Sequence, residues 1–210
     1  MEKILLINNK IIKSKERVRD LAEVFTSEKE VKSMLDLVQY LSENNENTFL
    51  EPACGNGNFL VEILKRRLIT VYRKNKNKQN NQSNIEFSII RSIASIYGID
   101  ISKENIKETR ERLLTEIKNF YSEKYNKKKS NIGFWDSINW ILKKNIIVGD
   151  FLNKLRDIIL IEYTAPKPYH IKRQEFRLAD MMKKKEMNSL FDKPKKLKNY
   201  RIIHYLKLCC

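Results

Sequence analysis

The stretch FLEPACGNGNFLVEIL, residues 49–64, constrains the fold of this chain more than any other part of the sequence. A short apolar run ends at a turn that contains Gly55 and Gly57, and apolar residues with helical spacing follow. Glycines in a strand-to-helix turn let the backbone approach a ligand and leave amide groups free to donate. The stretch therefore predicts a strand, a turn that binds a small molecule, and a helix.

Two later segments have a similar form. YGID places Gly98 before Asp100, and IVGD places Gly149 before Asp150. Loops at the carboxyl ends of strands form the ligand site of open α/β sheets, so the three segments are expected to meet at one edge. A carboxylate after the second strand suits a ribose diol, and one after the third can accept from an exocyclic amine. Together these features indicate an adenosine-containing ligand.

Two common nucleotide motifs are absent from the glycine turn. A dinucleotide fingerprint has glycine where this chain has Leu60, and no G-K-[ST] follows, as a Walker A loop requires. A turn whose glycines serve only helix packing, followed by two surface acids, stays open as an alternative interpretation.

The order of the elements predicts the fold class. Strand and helix patterns alternate up to residue 163, which predicts an α/β domain with a mostly parallel sheet. Ser27 and Glu30 have the spacing of a capping box at the start of a helix over 26–42. RDIILIEY, residues 156–163, is expected to be a further buried strand of the sheet. The predicted organisation is an N-terminal arm at 1–20, a domain at 21–165 with a low-complexity insertion at 74–84, and a basic extension at 166–210.

The charge favours a polyanionic partner. The 42 basic and 26 acidic residues give a net charge of +16, which points to nucleic acid first and to an acidic membrane second. Composition drift in a chain rich in Lys, Asn and Ile is the alternative. The three cysteines have no zinc spacing, and no apolar run reaches the roughly 20 residues of a membrane span. We expect a cytoplasmic protein that binds neither metal nor membrane.

The four segments together resemble a known family. FLEPACGNGNFL is similar to D-P-A-C-G-S-G-x-F-L, the S-adenosylmethionine (SAM) motif of amino-group DNA methyltransferases, and is closest to the adenine-N6 enzymes of restriction-modification systems. EVFTSEKEVKSML resembles the family's x-x-F-T-P segment, and YGIDIS and IVGDFL match its second and third cofactor motifs in order. The resemblance spans residues 17–163. It implies a Rossmann-like SAM-dependent methyltransferase fold, SAM as cofactor, and DNA as partner.

The resemblance also implies roles for individual residues. Phe25 and Thr26 would line the methionine end, Asp100 would hold the ribose, and Asp150 would take the adenine amine. The full set of implied cofactor-binding residues is Phe25, Thr26, Glu51, Ala53, Gly55, Gly57, Asp100, Ile101, Asp150 and Phe151.

The chain departs from the family where the catalytic motif is expected. After the fourth strand the family has [DNS]-P-P-[YFW], which accepts from the target amine and stacks on a flipped base. This chain has APKPY at 165–169 instead, and only Glu162 and Tyr163 offer an acceptor and a ring nearby. With 47 residues left after Tyr163, the fold is expected to be incomplete in its C-terminal half.

Three functions follow from this comparison. The first is an adenine-specific DNA methyltransferase of a restriction-modification system, with Glu162 and Tyr163 as candidate catalytic residues. The second is a catalytically inactive SAM-binding subunit or regulator that a specificity or restriction subunit completes. The third is a SAM-dependent methylase of RNA or protein, for which the sequence offers no distinct pocket.

Overall fold

The computed structural model describes residues 5–7, 10–12, 26–75, 82–125, 129–183 and 196–209. Its helices are α1 (Glu28–Asp36), α2 (Gln39–Glu43), α3 (Asn58–Asn75), α4 (Gln82–Ala94), α5 (Lys103–Lys124), α6 (Phe134–Asn145) and α7 (Leu178–Lys183). Its strands are β1 (Leu5–Ile7), β2 (Lys10–Ile12), β3 (Phe49–Glu51), β4 (Ile96–Asp100), β5 (Ile146–Val148), β6 (Ile159–Lys167), β7 (His170–Arg177), β8 (Lys196–Asn199) and β9 (Ile203–His204).

The strands β3, β4 and β5 form a parallel sheet in that order, which confirms the predicted α/β character. Leu50 pairs with Tyr97, and Ile99 pairs with Ile147. Each strand is followed along the chain by the loop that carries one of the predicted ligand segments. Because all three strands run the same way, these loops lie at one edge of the sheet.

The two faces of the parallel sheet are covered differently. Ile96 belongs to a large core that also takes in the buried sides of α3, α4, α5 and α6. Tyr97 and Ile99 form a second core with Ile158 and Leu160, from the chain that follows β5. Side chains alternate across a strand, so helices cover one face while the start of β6 packs on the other.

The prediction that residues 156–163 form a fourth strand of the parallel sheet is wrong. β6 pairs antiparallel with β7 across a tight turn at 168–169, and β7 pairs with β8 and β9 in a separate antiparallel sheet. Leu160 and Ile161 of β6 are buried, and Leu160 packs in the second core with Tyr97 and Ile99 of the parallel sheet. A buried apolar strand has the same sequence pattern in both arrangements, so periodicity could not distinguish them.

The C-terminal segment is part of the main core. Tyr205 and Leu208 are fully buried, and the Tyr205 hydroxyl donates to Glu86 Oε2 at 3.0 Å. The Tyr121 hydroxyl and the Asn131 amide group also donate to this buried carboxylate. The basic extension expected at 166–210 therefore packs in part against α4 and α6.

Several local predictions can be compared with the described elements. The capping box is confirmed: Glu30 N–H donates to the Ser27 hydroxyl at 3.3 Å, and Ser27 N–H donates to the Glu30 carboxylate at 3.0 Å. The helix expected over 26–42 is broken between α1 and α2. The end of α3 and the start of α4 lie within the insertion expected at 74–84. The strands β1 and β2 lie within the N-terminal arm expected at 1–20. Helix α6 was not among the predicted elements.

No described helix combines the length and apolarity needed to cross a membrane. Within the described ranges, no group of three or more His, Cys, Asp or Glu side chains could hold a metal ion.

Candidate functional site

A cavity of about 590 Å³ lies at the carboxyl edge of the parallel sheet. The loops after β3, β4 and β5 line it, so the three predicted segments meet as the sequence analysis expected. The predicted cofactor residues that line it are Thr26, Glu51, Ala53, Gly55, Asp100, Ile101, Asp150 and Phe151. Phe25 lies outside the described residues.

Gly57 is the predicted residue that does not line the cavity. Its φ of 84° lies in the left-handed region, and a Cβ there would stand 2.6 Å from Thr109 Cγ2 on α5. The glycine therefore allows α3 to begin close against α5. This contact agrees with the alternative interpretation that the glycines serve helix packing. Gly55, whose φ is 51°, lies at the cavity wall instead.

Side chains of α5 hold the glycine turn in place. The Thr109 hydroxyl donates to the Gly55 carbonyl at 3.0 Å, and Arg112 Nη1 donates to the Asn56 carbonyl at 2.6 Å. Arg112 Nη1 also donates to Asn58 Oδ1 at 2.8 Å, at the first residue of α3. The turn is thus fixed before any ligand binds.

Asp100 connects two of the cavity's loops. Its Oδ2 accepts from Gly55 N–H at 2.9 Å, and its Oδ1 accepts from Ser102 N–H at 2.8 Å. Asn105 Nδ2 donates to Oδ1 at 3.4 Å. A carboxylate oxygen has about two acceptor sites, so Oδ1 is filled by Ser102 and Asn105, whereas Oδ2 keeps one site for a donor from a ligand such as a diol.

Asp150 forms a closed turn of its own after β5. Its Oδ1 accepts from the N–H groups of Leu152 and Asn153, at 3.1 and 2.9 Å, and its Oδ2 accepts from the Asn153 amide at 2.9 Å. These hydrogen bonds, the backbone bond from Asn153 first, lower the pKa of this exposed carboxyl. Asp150 is therefore a fixed anion at the rim of the cavity.

Burial at the cavity raises the pKa of two further groups. Burial raises the pKa of Glu51, against a smaller opposing effect of a backbone hydrogen bond at Ala53. Burial, together with the charges of Asp100 and Glu51, raises the pKa of the Cys54 thiol to about 12. Cys54 is thus a neutral wall residue at pH 7 and no nucleophile.

The charge of the cavity opposes that of the chain. Glu51, Asp100 and Asp150 line the cavity, and no Lys, Arg or His is among its described lining residues. The chain as a whole has a net charge of +16. A phosphate group would meet three carboxylates here without a cation, whereas a positively charged ligand would meet complementary charge.

The structure adds lining residues that the sequence analysis did not select. Asn58, Phe59, Ser102, Asn105 and Asn153 are among them. Asn58 Nδ2 donates to the Thr26 carbonyl at 2.8 Å, which ties the segment before α1 to the glycine turn. The spacing of Ser102 and Asn105 was a usable signal, because an N-cap and the residue three positions later point toward the same helix end.

The candidate catalytic residues do not lie beside this cavity. Glu162 and Tyr163 line a smaller hollow of about 320 Å³ with Thr48 and Ser95, which precede β3 and β4. The Tyr163 hydroxyl donates to Asn145 Oδ1 at 2.9 Å, at the residue that precedes β5. These residues are therefore at the amino edge of the parallel sheet, because β6 turns back into its hairpin and does not join the sheet.

The basic C-terminal region is only partly available for binding. The guanidinium of Arg173 lies 4.9 Å from the ring centres of both Trp140 and Tyr200 and is 4% exposed. Its Nη1 donates to the Leu208 carbonyl at 2.6 Å. Arg177, Lys196, Lys198, Arg201, Lys207 and, at the hairpin turn, Lys167 are exposed, so much of the positive charge of this region still faces solvent.

Comparison of this chain with protein-family models, with curated proteins and with solved structures gives no match.

Proposed function

We propose that the cavity at the carboxyl edge of the parallel sheet binds SAM. The observation that carries this proposal is the set of three carboxylates, without a cation among the described lining residues, in a chain with a charge of +16. SAM bears a sulfonium and an ammonium group against one carboxylate, so it is cationic where phosphate-bearing nucleotides are anionic. Glu51, whose buried carboxyl has a raised pKa, suits the ammonium group, because a nearby cation stabilises the ionised form.

The motif order supports the same ligand. The glycine turn, Asp100 and Asp150 follow one another as in the adenine-N6 methyltransferases that the sequence resembles. Asp100 keeps acceptor capacity for a ribose diol, and Ile101 and Phe151 offer apolar surface for the adenine ring. SAM, when bound, supplies the methyl group; the chain's own residues bind and orient it.

We further propose that the chain belongs to a DNA adenine-N6 methylation system and that another subunit supplies the target-base site. Methyl transfer to an adenine amine needs hydrogen-bond acceptors and an aromatic wall beside the cofactor. Glu162 and Tyr163 are the nearest candidates in the sequence, and their position at the opposite edge favours the alternative of a SAM-binding subunit that a partner completes.

Calorimetry with the purified chain tests the cofactor. Titration of SAM and of S-adenosylhomocysteine should give saturable heat, with NAD and ATP as phosphate-bearing controls that give none. Absence of heat with SAM at millimolar concentration, or equal binding of ATP, would remove the basis of the proposal.

Transfer of labelled methyl from SAM to mixed-sequence DNA tests the second part. The isolated chain should transfer little or no label, with and without Glu162→Ala or Tyr163→Phe. Robust transfer by the chain alone would mean that it holds a complete target site. Robust transfer that Glu162→Ala abolishes would restore Glu162 as a catalytic residue.

A further inference from the structure

A surface groove of about 410 Å³ lies between α5, α6 and the end of β5, and it shares no lining residue with the acidic cavity. Its rim is cationic, and its floor is aliphatic. The rim cations are Lys103, Lys107, Arg110 and Lys143, and the floor residues are Ile106, Leu114, Leu142 and Val148. Glu111 is the acidic residue that lines it. The groove therefore combines positive charge with apolar surface.

The spacing of residues along α5 explains why several of the groove's cations lie together. Lys103, Lys107, Arg110 and Leu114 are spaced by four, three and four residues, so they lie on one face of the helix. Lys143 comes from the last turn of α6, next to the start of β5. The three lysines are exposed and Val148 is 46% exposed, whereas Ile106 and Leu142 are 1% and 2% exposed. The surface that a partner can reach therefore consists of the lysine side chains and the apolar side chains of Val148 and the half-buried Leu114.

Arg110 is held in place by backbone carbonyls at the end of α6 and the start of β5. Its Nε donates to the Ile146 carbonyl at 2.8 Å, and its Nη2 donates to the Lys143 carbonyl at 3.2 Å. Partial burial lowers its pKa, and no carboxylate among the described residues forms an ion pair with it. Because Arg110 occupies the Ile146 carbonyl, an added strand cannot pair with β5 there, and the groove is suited to side chains.

We propose that this groove docks an acidic amphipathic helix of a partner protein. Apolar side chains of that helix lie on the aliphatic floor, and its carboxylates face the three lysines. Nucleic acid fits less well, since unpaired bases stack on aromatic rings and the groove has none among its lining residues. The face from Lys103 to Leu114 is roughly 16 Å long at 1.5 Å per residue, which matches about three helical turns.

The test is fluorescence anisotropy with the full chain and a labelled 14-residue peptide. The peptide has leucine at helical i, i+3, i+4 and i+7 positions and glutamate on its other face. It should bind saturably, and a scrambled peptide of the same composition should bind at least tenfold more weakly. Binding that does not distinguish the two peptides would overturn the proposal.

Matched variants locate the binding. Lys103→Glu, Lys107→Glu and Lys143→Glu combined should weaken the peptide at least tenfold. Lys29→Glu, Lys32→Glu and Lys74→Glu combined change the net charge equally at exposed positions elsewhere and should change affinity less than twofold. Equal losses in the two triple variants would show general charge attraction and contradict the groove.

Two further experiments test the apolar floor of the groove and the kind of partner: a substitution at Val148 and competition by DNA. Val148→Ser should weaken the peptide several-fold while circular dichroism shows an unchanged fold. A DNA duplex should not displace the peptide at equal charge concentration in 0.15 M salt. Displacement by DNA, together with no effect of Val148→Ser, would identify the groove as a phosphate-binding surface instead.

Discussion

The two ends of the three-stranded parallel sheet use polar residues in opposite ways. At the amino end, buried side chains donate to backbone carbonyls within the fold: Asn145 Nδ2 donates to the Ala94 and Ile96 carbonyls, and the Tyr97 hydroxyl donates to the Ile161 carbonyl. At the carboxyl end, Glu51 and Asp100 border an open cavity and keep acceptor capacity. The difference is that the carboxylates at the carboxyl end face an open cavity, whereas the donors at the amino end are used in contacts that hold the fold together.

Replacing Arg67 should show most clearly how much the polar contacts at the amino end of the sheet stabilise the fold. Arg67 is fully buried, and it donates to the Ser92 carbonyl at 3.0 Å, the Ser95 hydroxyl at 2.6 Å and the Asn47 carbonyl at 2.5 Å. Burial lowers its pKa to about 10, so it stays charged at pH 7. Arg67→Ala should lower the free energy of unfolding by about 3 kcal/mol, because it leaves buried acceptors without donors and removes packing.

Urea unfolding followed by circular dichroism measures this change. Arg73→Ala, at an exposed position on the same helix, should stay within about 0.5 kcal/mol of the wild type. A variant at Arg67 as stable as the one at Arg73 would show that the amino end is not held by this side chain.

Replacing Asp100 should show whether the polar residues at the carboxyl end of the sheet bind SAM. Asp100→Ala removes the acceptor for Gly55 and Ser102 as well as the proposed acceptor for the ribose diol. We expect SAM binding to weaken by about 1–3 kcal/mol, or roughly 5- to 150-fold, with Asp100→Asn intermediate because it keeps one acceptor oxygen. Calorimetry gives the affinities.

Asp136→Ala is the control for that series, since Asp136 is exposed in the first turn of α6 and lies outside the cavity. If Asp100→Ala binds SAM as tightly as Asp136→Ala does, Asp100 serves only the glycine turn.

Glu51 should make SAM affinity depend on pH, and we expect this effect to be smaller than the loss caused by Asp100→Ala. Burial raises the pKa of the Glu51 carboxyl in the free protein, and an ammonium group beside it would lower that pKa again. Ligand binding then releases a proton, so SAM affinity should rise with pH across the acidic range and level off once the free carboxyl is ionised. Glu51→Gln should flatten this rise.

Calorimetry in two buffers of different ionisation enthalpy measures the proton release directly. Proton uptake on binding, or a dependence that Glu51→Gln leaves unchanged, would assign the coupled group elsewhere.

The local chemistry of the site was determined by the sequence. Glycines and acids after three apolar runs sufficed to predict where the strands end and which loops meet, because parallel strands bring their carboxyl ends to one edge. The Ser27–Glu30 cap was predictable for a similar reason, since it depends on residues three positions apart. Eight of the ten residues that the family resemblance implies as cofactor-binding line one cavity.

Only the tertiary structure decided what Gly57 and Tyr163 do. Gly57 packs against Thr109, and Tyr163 bonds to Asn145, through contacts between residues far apart in the chain. The run at 159–161 is apolar enough for a central parallel strand, yet it begins an antiparallel hairpin that lies on the sheet's face. A sequence pattern records that a strand is buried, whereas its partner strand depends on long-range packing that no local spacing encodes.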